Sequence, residues 1–346
     1  MSKYVLCASL PLRIWTIDTS ANTATGTAPL NQEQMDPAHR PWPFTFVADG
    51  PRDLVYHING GASVVEIDVS NPKAPTVTQL KTNKGVNLMC AALAGGFGQP
   101  SHVDQRLYAG GSDGFIYTFP LDSSGKTRKT TSDPAPYEVL EAHNRPIIDL
   151  AITSDGTHAF ALIQSNDGKA AAVTKDLKPM PHNPQSHYYA DRPQWDTIPN
   201  PASISLTPDE RYLIVTAYGS NMCTIIDTKT TESHQRYLAS GVATAPRPVR
   251  VDDSTAYFCT LGDFHKIDLA SGEAKSEVNP GLAGVVGAGD KHVLLTLFDQ
   301  HKKGTNVYSC SLFSYDGKER VDMPAMDFGP AYLPWLLLET NLLLEV

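Results

Sequence analysis

The sequence predicts an all-β protein built from a repeated four-stranded antiparallel unit. Residues 201–232 contain three short segments rich in β-branched and aromatic residues, separated by Pro-Asp and Gly-Ser-Asn turns. The same arrangement recurs along the 346-residue chain, and helical periodicity nowhere extends beyond about two turns. Because one such meander cannot bury both of its faces, the units are expected to stack against one another.

Each unit is expected to hold strands A to D in chain order. The first unit begins at strand B, with YVLCAS, then LRIWTIDTS and a weak D strand near 23–30. The next six units open with the A strands PFTFVADG, VNLMCAALAGG, IIDLAITSDG, ASISL, VRVDDST and LAGVVGAGD. Their B strands are DLVYHI, RLYAGG, HAFALIQ, YLIVTAY, AYFCTLGD and HVLLTLF. Their C strands are SVVEIDVS, GFIYTFPLD, KAAAVTKD, CTIIDT, HKIDLASGE and VYSCSLFSYDG. Clear D strands follow as PTVTQL, YEVLEAH and a segment near 234–238, whereas those of the last two units are weak.

The spacing of the A strands predicts the architecture. They begin near residues 44, 86, 147, 202, 249, 282 and 332, at intervals of roughly 33 to 61 residues, which is the range of propeller blades. The first unit lacks an A strand, and AYLPWLLLETN near the end of the chain supplies one more. We therefore expect one domain, 1–346, folded as a seven-bladed β-propeller of four-stranded antiparallel blades. The C-terminal strand A would close it by joining the N-terminal strands B–D, which removes an exposed sheet edge.

One unit also resembles a known family. LTPDERYLIVTAYGSNMCTIIDTKT, in the fifth unit, resembles the repeat of the YVTN, lactonase-like, seven-bladed propeller family, and ITSDGTHAFAL in the fourth unit carries part of that repeat. LYAGGSDGFIYTF in the third unit is more similar to a WD40 blade, although it lacks the closing Trp-Asp. The lactonase-like resemblance implies hydrolase, lyase, isomerase or cyclase chemistry on an anionic metabolite. It is more informative about fold than about activity, because propellers support many functions.

Composition limits the partners and the compartment. The formal net charge is −9, the pI is about 5.6, and Lys and Arg form no run. Nucleic acid and anionic membrane surfaces are therefore not expected partners. Five cysteines occur singly, without CxxC spacing, which favours buried thiols in a reducing compartment. We expect a cytoplasmic protein without a signal peptide, since Pro11 and Arg13 interrupt the first apolar segment.

Arginines precede several A strands and suggest an anion site. The D→A connections HRPWPF, HNRPII and PRPVRV bring Arg40, Arg145 and Arg247 to one end of the propeller, with Arg250 in the channel or just below its mouth. Guanidinium groups that converge in a cleft bind carboxylate or phosphate. The alternative is structural: each arginine pairs with a carboxylate of a neighbouring blade.

Histidines are expected at the same end. His39 lies in a D→A connection, and the candidates for acid–base catalysis, His57, His143, His265 and His301, lie in D→A connections or near B→C turns. Because the histidines come from different blades, without HExxH or HxH spacing, no metal or other cofactor is expected. Ordinary surface histidines are the alternative interpretation.

Two insertions complete the candidate site. Residues 175–200 hold five prolines with His187, Tyr188 and Trp195, and residues 31–43 hold Trp42. Loops this long in a compact repeat are usually functional, so the longer insertion is expected to form a lid over the channel mouth. The alternative is a segment that covers the blade edge where a D strand is missing.

Two functional classes remain open at this point. The first is a small-molecule enzyme or binder in which arginines hold an anionic ligand and a histidine moves a proton. The second is a WD40-like scaffold for protein partners, and a propeller subunit of a redox complex is a further alternative. The sequence Gly110-Gly-Ser-Asp-Gly114 matches G-x-S-x-G, but it joins two strands and is expected to be a hairpin turn, not a nucleophile elbow.

Overall fold

The structure is a computed structural model. It describes residues 3–9, 12–18, 21, 23–26, 45–58, 61–81, 86–95, 100–101, 106–126, 139–141, 146–163, 171–174, 194–195, 201–217, 221–230, 233–237, 248, 250–259, 264–278, 282–288, 292–297, 307–308, 310–315, 318–323, 326–327 and 335–340.

Within these residues the chain forms thirty strands and one short 3₁₀ helix, η1 (Gly50–Arg52), and no α-helix. The first eleven strands are β1 (Lys3–Ser9), β2 (Leu12–Asp18), β3 (Thr23–Gly26), β4 (Thr45–Asp49), β5 (Leu54–Ile58), β6 (Ser63–Asp68), β7 (Thr76–Lys81), β8 (Leu88–Leu93), β9 (Arg106–Gly111), β10 (Phe115–Pro120) and β11 (Val139–Glu141). The next twelve are β12 (Ile147–Ile152), β13 (Ala159–Ile163), β14 (Ala171–Thr174), β15 (Gln194–Trp195), β16 (Pro201–Leu206), β17 (Tyr212–Ala217), β18 (Met222–Asp227), β19 (Ser233–Tyr237), β20 (Arg250–Val251), β21 (Thr255–Cys259), β22 (Phe264–Asp268) and β23 (Ala274–Val278). The last seven are β24 (Leu282–Ala288), β25 (His292–Leu297), β26 (Val307–Tyr308), β27 (Cys310–Ser314), β28 (Arg320–Asp322), β29 (Met326–Asp327) and β30 (Trp335–Thr340).

Most strands form four-stranded antiparallel meanders, as the repeat predicts. Five separate sheets have the orders β4-β5-β6-β7, β11-β10-β9-β8, β12-β13-β14-β15, β16-β17-β18-β19 and β20-β21-β22-β23. An eight-stranded sheet has the order β28-β27-β25-β24-β30-β1-β2-β3, in which β24 and β30 pair in parallel. A short pair, β26–β29, stands apart.

Strands from the two ends of the chain meet in the eight-stranded sheet. β30 pairs antiparallel with β1, with Leu338 opposite Val5, so that β30, β1, β2 and β3 form a four-stranded antiparallel group. The first strands of the sheets also contact one another: β30 contacts β24 and β4, β8 contacts β4 and β12, and β12 contacts β16. The sheets are therefore arranged around their first strands.

The core lies between successive sheets. Tyr56 of β5 packs against Ala109 and Tyr117 of the next sheet, while Val55, on the other face of β5, packs with Ile14 of β2. All six residues of β17 are buried. Burial on both faces explains the nearly continuous apolar strands, since each fully buried large side chain contributes about 1.5–3 kcal/mol to stability.

The expected buried thiols are confirmed where the structure describes the side chains. Cys90, Cys223 and Cys310 are buried in β8, β18 and β27. Burial raises the pKa of the Cys310 thiol to about 12, so it is protonated at neutral pH. Cys7 and Cys259 lie in β1 and β21, where only their backbone is described.

Candidate functional site at the mouth end

Strand direction divides the molecule into two ends. Ile147, which begins β12, pairs with Ile163 at the end of β13, whereas Ile152, which ends β12, pairs with Ala159 at the start of β13. We call the end at which the first strand of each sheet begins the mouth end, and the opposite end the turn end. The D→A connections and the B→C turns therefore share the mouth end, and the A→B turns lie at the turn end.

At the turn end, hydrogen bonds join the A→B turns of neighbouring sheets. The amide of Gly95, after β8, donates to the carbonyl of Ile152 at 3.0 Å. The amide of Ser154 donates to Glu210 Oε1, and that of Asp209 donates to Asp253 Oδ1 at 2.9 Å. These bonds join the turns of consecutive sheets and hold the inner strands close together at this end.

Glu210 takes part in this linkage in a strained backbone conformation. Its φ is 61°, in the left-handed region, whereas Gly156 has the corresponding place in the preceding sheet with a φ of 67°. A side chain in this region costs about 1–2 kcal/mol. Glu210 therefore keeps its carboxylate, which accepts a hydrogen bond from the neighbouring turn, at a position where glycine would adopt the same backbone conformation without strain.

A buried polar seam joins the second and third meanders at the same end. The hydroxyl of Tyr56 donates to the carbonyl of Gly125, which lies 69 residues further along the chain. Arg52 Nη1 pairs with the buried Asp49 Oδ2 at 3.2 Å. Burial, and then the negative charges of Asp49 and Glu66, raise the pKa of Tyr56 well above its usual value. Sequence reasoning missed this seam, because no local pattern brings Tyr56 and Gly125 together.

The mouth end is distinguished by a repeated irregularity in the inner strands. In β8, β12, β16 and β24 the register shifts at the second residue of the strand, opposite the last residues of β9, β13, β17 and β25. In each strand two residues advance while the partner advances one, which is a β-bulge. The extra residues are Met89, Ile148, Ala202 and Ala283.

Burial differs within the bulges. Met89 and Ile148 are partly exposed, whereas Leu88, Cys90 and Ile147 are fully buried. Ala202 is partly exposed as well, next to the buried Ser203.

Below the bulges, a carboxylate joins two inner strands. Asp149 Oδ2 accepts the amide of Ile204 at 2.9 Å, and Asp149 is 1% exposed. The two strands are thereby joined directly below the bulges at Ile148 and Ala202.

The turn between β9 and β10 is a hairpin at the mouth end, as predicted for the G-x-S-x-G match. Tyr117 donates its hydroxyl to Asp113 Oδ2 at 2.6 Å, and Asp113 Oδ1 accepts the Phe115 amide at 3.3 Å. Burial and the hydrogen bond to Asp113 raise the pKa of Tyr117 above its usual value. A Cβ at Gly111 would lie 2.4 Å from Asp113 Oδ1, so the close approach requires glycine. A serine in this turn has no elbow geometry.

Two of the four candidate catalytic histidines lie within the described residues, and both are buried. His57 is 3% exposed in β5 and stacks on Phe46, with ring centroids 4.3 Å apart and an interplanar angle of 18°. His265 is 0% exposed in β22, opposite Phe258. Both rings pack within the sheets and not on the surface of the B→C turns, so their catalytic roles stay predictions.

Arg250 is the one candidate arginine within the described part of the chain. Its guanidinium lies 5.8 Å from the ring centroid of Tyr257 and 5.1 Å from that of Tyr315. It also pairs with Asp252 at 2.9 Å, in the A→B turn. Asp252 belongs to the same sheet as Arg250, so this pair is not the contact with a neighbouring blade that the structural alternative expects. Ligand binding by Arg250 stays a prediction.

The structure places the end of the long insertion in a sheet. Residues Gln194 and Trp195 form β15, the outer edge strand of the fourth meander, with Trp195 opposite Ala171. The preceding strand, β14, ends at the turn end, because Thr174 pairs with Ala159. The backbone of Trp195 is therefore three strands away from β12. The other candidate residues lie outside the described residues: Arg40, Trp42, His143, Arg145, His187, Tyr188, Arg247 and His301.

Among the described residues, no group of three or more His, Cys, Asp or Glu side chains is arranged to hold a metal ion. A helix long and apolar enough to cross a membrane is likewise absent from this part of the chain.

Comparison with solved structures identifies the fold. A protein from Lactobacillus plantarum is 14% identical with a TM-score of 0.58, over 99% of this chain and 100% of that one. The β-propeller domain of Cps50 (Swd1) from Myceliophteria thermophila is 11% identical with a TM-score of 0.53, over 85% and 88% of the two chains. The chain is a β-propeller. A candidate 6-phosphogluconolactonase from Bacteroides uniformis is also similar, with 12% identity and a TM-score of 0.55, over 94% of this propeller and 97% of that chain.

Sequence comparison adds no family to this result. No family model matches the propeller, and no curated protein matches it significantly. At 11–14% identity the structural likenesses show the fold alone. The YVTN and WD40 resemblances are therefore supported as far as the propeller fold that both families share.

Proposed function

We propose that this chain is a closed seven-bladed propeller that binds an anionic small molecule at its mouth end and acts on it chemically. The observation that carries the proposal is the position of the bulges, which interrupt the inner strands of three successive sheets at the mouth end. Hydrogen bonds join neighbouring sheets at both ends: the amide of Leu88, for example, donates to the carbonyl of Gly61 at 3.0 Å at the mouth end. Bulges are common beside active sites, where they redirect side chains. The antiparallel pairing of β30 with β1 supports the closed ring.

The ligand in this proposal carries a carboxylate or a phosphate. Arg40, Arg145 and Arg247 belong to D→A connections, which lie at the mouth end in a propeller of this strand order. Arginine binds such groups through two parallel hydrogen bonds. Proton transfer in a hydrolase, lyase or isomerase reaction falls first to His143 and His301, because the rings of His57 and His265 are buried.

Binding of simple anions tests the proposal. Inorganic phosphate and acetate are titrated into the protein by calorimetry, and Arg145→Ala and Arg247→Ala are compared with Arg211→Ala. Arg211 is an exposed arginine at the turn end that pairs with Asp227 at 3.3 Å, so it is a matched control. We expect the first two variants to lose binding of at least one anion without a lower melting temperature, and the control to retain it. Unchanged binding in all three variants would exclude the arginine site.

Native mass spectrometry of the purified protein extends this test to the natural ligand. A metabolite retained by the wild-type protein and absent from Arg145→Ala would identify the substrate class directly.

A protein-interaction scaffold is the second candidate function. The likeness to the Cps50 (Swd1) propeller domain, with a TM-score of 0.53, is the observation that favours it. A scaffold would hold protein partners that survive purification and would bind neither anion. Calorimetry with the two anions, together with co-purification, therefore separates the two functions.

A further inference from the structure

The four bulges lead to an inference about the chemistry of the ligand. We infer that they form an apolar collar at the mouth end, and that this collar holds the hydrocarbon or aromatic body of an amphipathic anion. The inference rests on the proposed function, since that function supplies the site for the anionic group. It adds a second contact surface, made by Met89, Ile148 and Ala202.

The bulge recurs at the same position in four first strands. The extra residue is the second residue of the strand in β8, β12, β16 and β24 alike, opposite the end of the neighbouring strand. The shift at the second residue is common to these four strands, and β24 has a further shift between Val285 and Gly287. A bulge leaves one residue outside the hydrogen-bond ladder, so it is retained where it redirects a side chain to some use. The first strands β4, β20 and β30 pair without a shift, so the redirected positions occur in four of the first strands, three of them in successive sheets.

Two of the bulged side chains are partly exposed to solvent. Met89 is partly exposed between Leu88 and Cys90, which are both 0% exposed. Ile148 packs in part against the core cluster that contains Phe160 and Ile204, and the rest of its surface is exposed. β8 contacts the first strands β4 and β12, and β12 contacts β8 and β16. In the closed propeller proposed above, the remaining open edge of β8 and β12 faces the central channel, so the exposed surface of Met89 and Ile148 lies at the mouth of that channel.

The residues at all four bulged positions are apolar: Met89, Ile148, Ala202 and Ala283. A side chain that faced only water in this chain would more often be polar, as in the turns at the opposite end, where Asp155, Asp209 and Asp253 are exposed. Exposed apolar surface costs free energy in proportion to its area, and a ligand that covers it recovers that free energy.

The positive charge expected at the mouth end indicates which ligand the collar would hold. The D→A connections that carry Arg40, Arg145 and Arg247 lead directly into first strands at this end. A ligand with a carboxylate or phosphate at one end and an apolar body at the other would contact both the arginines and the collar. Acetate and inorganic phosphate carry the charged group alone, whereas hexanoate adds an apolar chain to it.

A comparison of hexanoate with acetate tests the inference. Calorimetric titrations are made with the wild-type protein, Met89→Gln and the control Leu93→Gln. Leu93 is a partly buried apolar residue near the other end of the same strand, so its replacement introduces the same polar group away from the mouth. We expect the wild-type protein to bind hexanoate about tenfold or more tightly than acetate, as burial of a few methylene groups implies. Met89→Gln should reduce this ratio several-fold, while Leu93→Gln should leave it unchanged.

Two further variants keep the test decisive. Met89→Leu retains an apolar side chain and should preserve the preference for hexanoate. Ile148→Thr should reduce the preference in the same direction as Met89→Gln, and it replaces that variant if Met89→Gln does not fold. Circular dichroism and the melting temperature report on folding in every case.

The affinities for hexanoate and acetate distinguish failure of the apolar collar from failure of the anion site on which it rests. Equal affinity for hexanoate and acetate, or equal effects of Met89→Gln and Leu93→Gln, would overturn the collar. The anion site would stand in that case if Arg145→Ala still abolished acetate binding. If the wild-type protein bound neither carboxylate nor inorganic phosphate, the proposed function itself would fail, and the collar would fail with it.

Discussion

Replacing Asp149 by alanine should destabilise the protein far more than the same replacement at Asp253. Both carboxylates accept a backbone amide of a neighbouring sheet at 2.9 Å: Asp149 from Ile204 in the next sheet, and Asp253 from Asp209 in the preceding sheet. They differ in burial, because Asp149 is 1% exposed whereas Asp253 lies on the surface. The pair therefore compares a buried and an exposed example of one kind of hydrogen bond.

The expected magnitudes follow from that difference. A hydrogen bond to a charged acceptor contributes about 1.5–3 kcal/mol, and the amide of Ile204, if left buried without an acceptor, costs a similar amount. We therefore expect Asp149→Ala to lower the free energy of unfolding by about 3 kcal/mol. Asp149→Asn, which retains an acceptor oxygen, should lose about 1 kcal/mol. In Asp253→Ala, water can accept the hydrogen bond of the exposed Asp209 amide in place of the carboxylate. The free energy of unfolding should therefore fall by less than about 1 kcal/mol.

Urea unfolding followed by tryptophan fluorescence measures all three variants against the wild-type protein. The m-value should stay constant, because the same surface is exposed on unfolding. Equal losses in Asp149→Ala and Asp253→Ala would refute the reasoning, since burial would then have no effect on this bond. A loss below about 1 kcal/mol in Asp149→Ala would refute it as well.

Three further predictions concern the turn end. Tyr56→Phe should lower the free energy of unfolding by about 1–3 kcal/mol, because the carbonyl of Gly125 loses a buried donor; urea unfolding measures this. Glu210→Gly should be more stable than Glu210→Ala by about 1 kcal/mol, because both variants lose the side-chain bond but only glycine relieves the φ of 61°; equal stabilities would contradict the assigned strain. Hydrogen bonds, first from the Thr153 hydroxyl, hold the pKa of Asp155 at about 2, below the ordinary 3.8. The stability contributed by this ionised group should therefore be present above about pH 4 and be lost as the pH falls toward 2, and Asp155→Asn should remove that part of the acid dependence in melting experiments.

The strands could be predicted from the sequence because their signals are local. In the fifth unit, turn residues bound each segment, and the structure has β16, β17 and β18 at the expected places. The D strand of the fourth unit is the exception. There the insertion carries the chain away from β14 and returns it as the two-residue strand β15, and no alternating pattern announces a strand that short.

The site was less predictable, because it depends on contacts between distant segments. His57 lies in the predicted B strand DLVYHI, and β5 ends one residue later, at Ile58, as that strand predicts. The stacking of Phe46, in β4, on the His57 ring is a contact that the sequence alone does not specify. The bulges leave no distinct sequence signal. Leu88-Met89 and Ile147-Ile148 are consecutive apolar pairs at strand starts, but Leu54-Val55 begins β5 in the same way without a bulge, because these strands are buried on both faces. Which member of each pair leaves the ladder depends on the partner strand, and the sequence alone does not specify it.

The pairing of β30 with β1 has a consequence for synthesis on the ribosome. Val5 is paired with Leu338, so β1 waits for this inner partner until the ribosome has reached Leu338. At about 5–20 residues per second, this delay is on the order of 20 to 70 s. During this interval the inner edge of β1 can accept other strands, including those of a neighbouring nascent chain. Yield of folded protein should therefore depend on expression rate more strongly than its final stability would suggest.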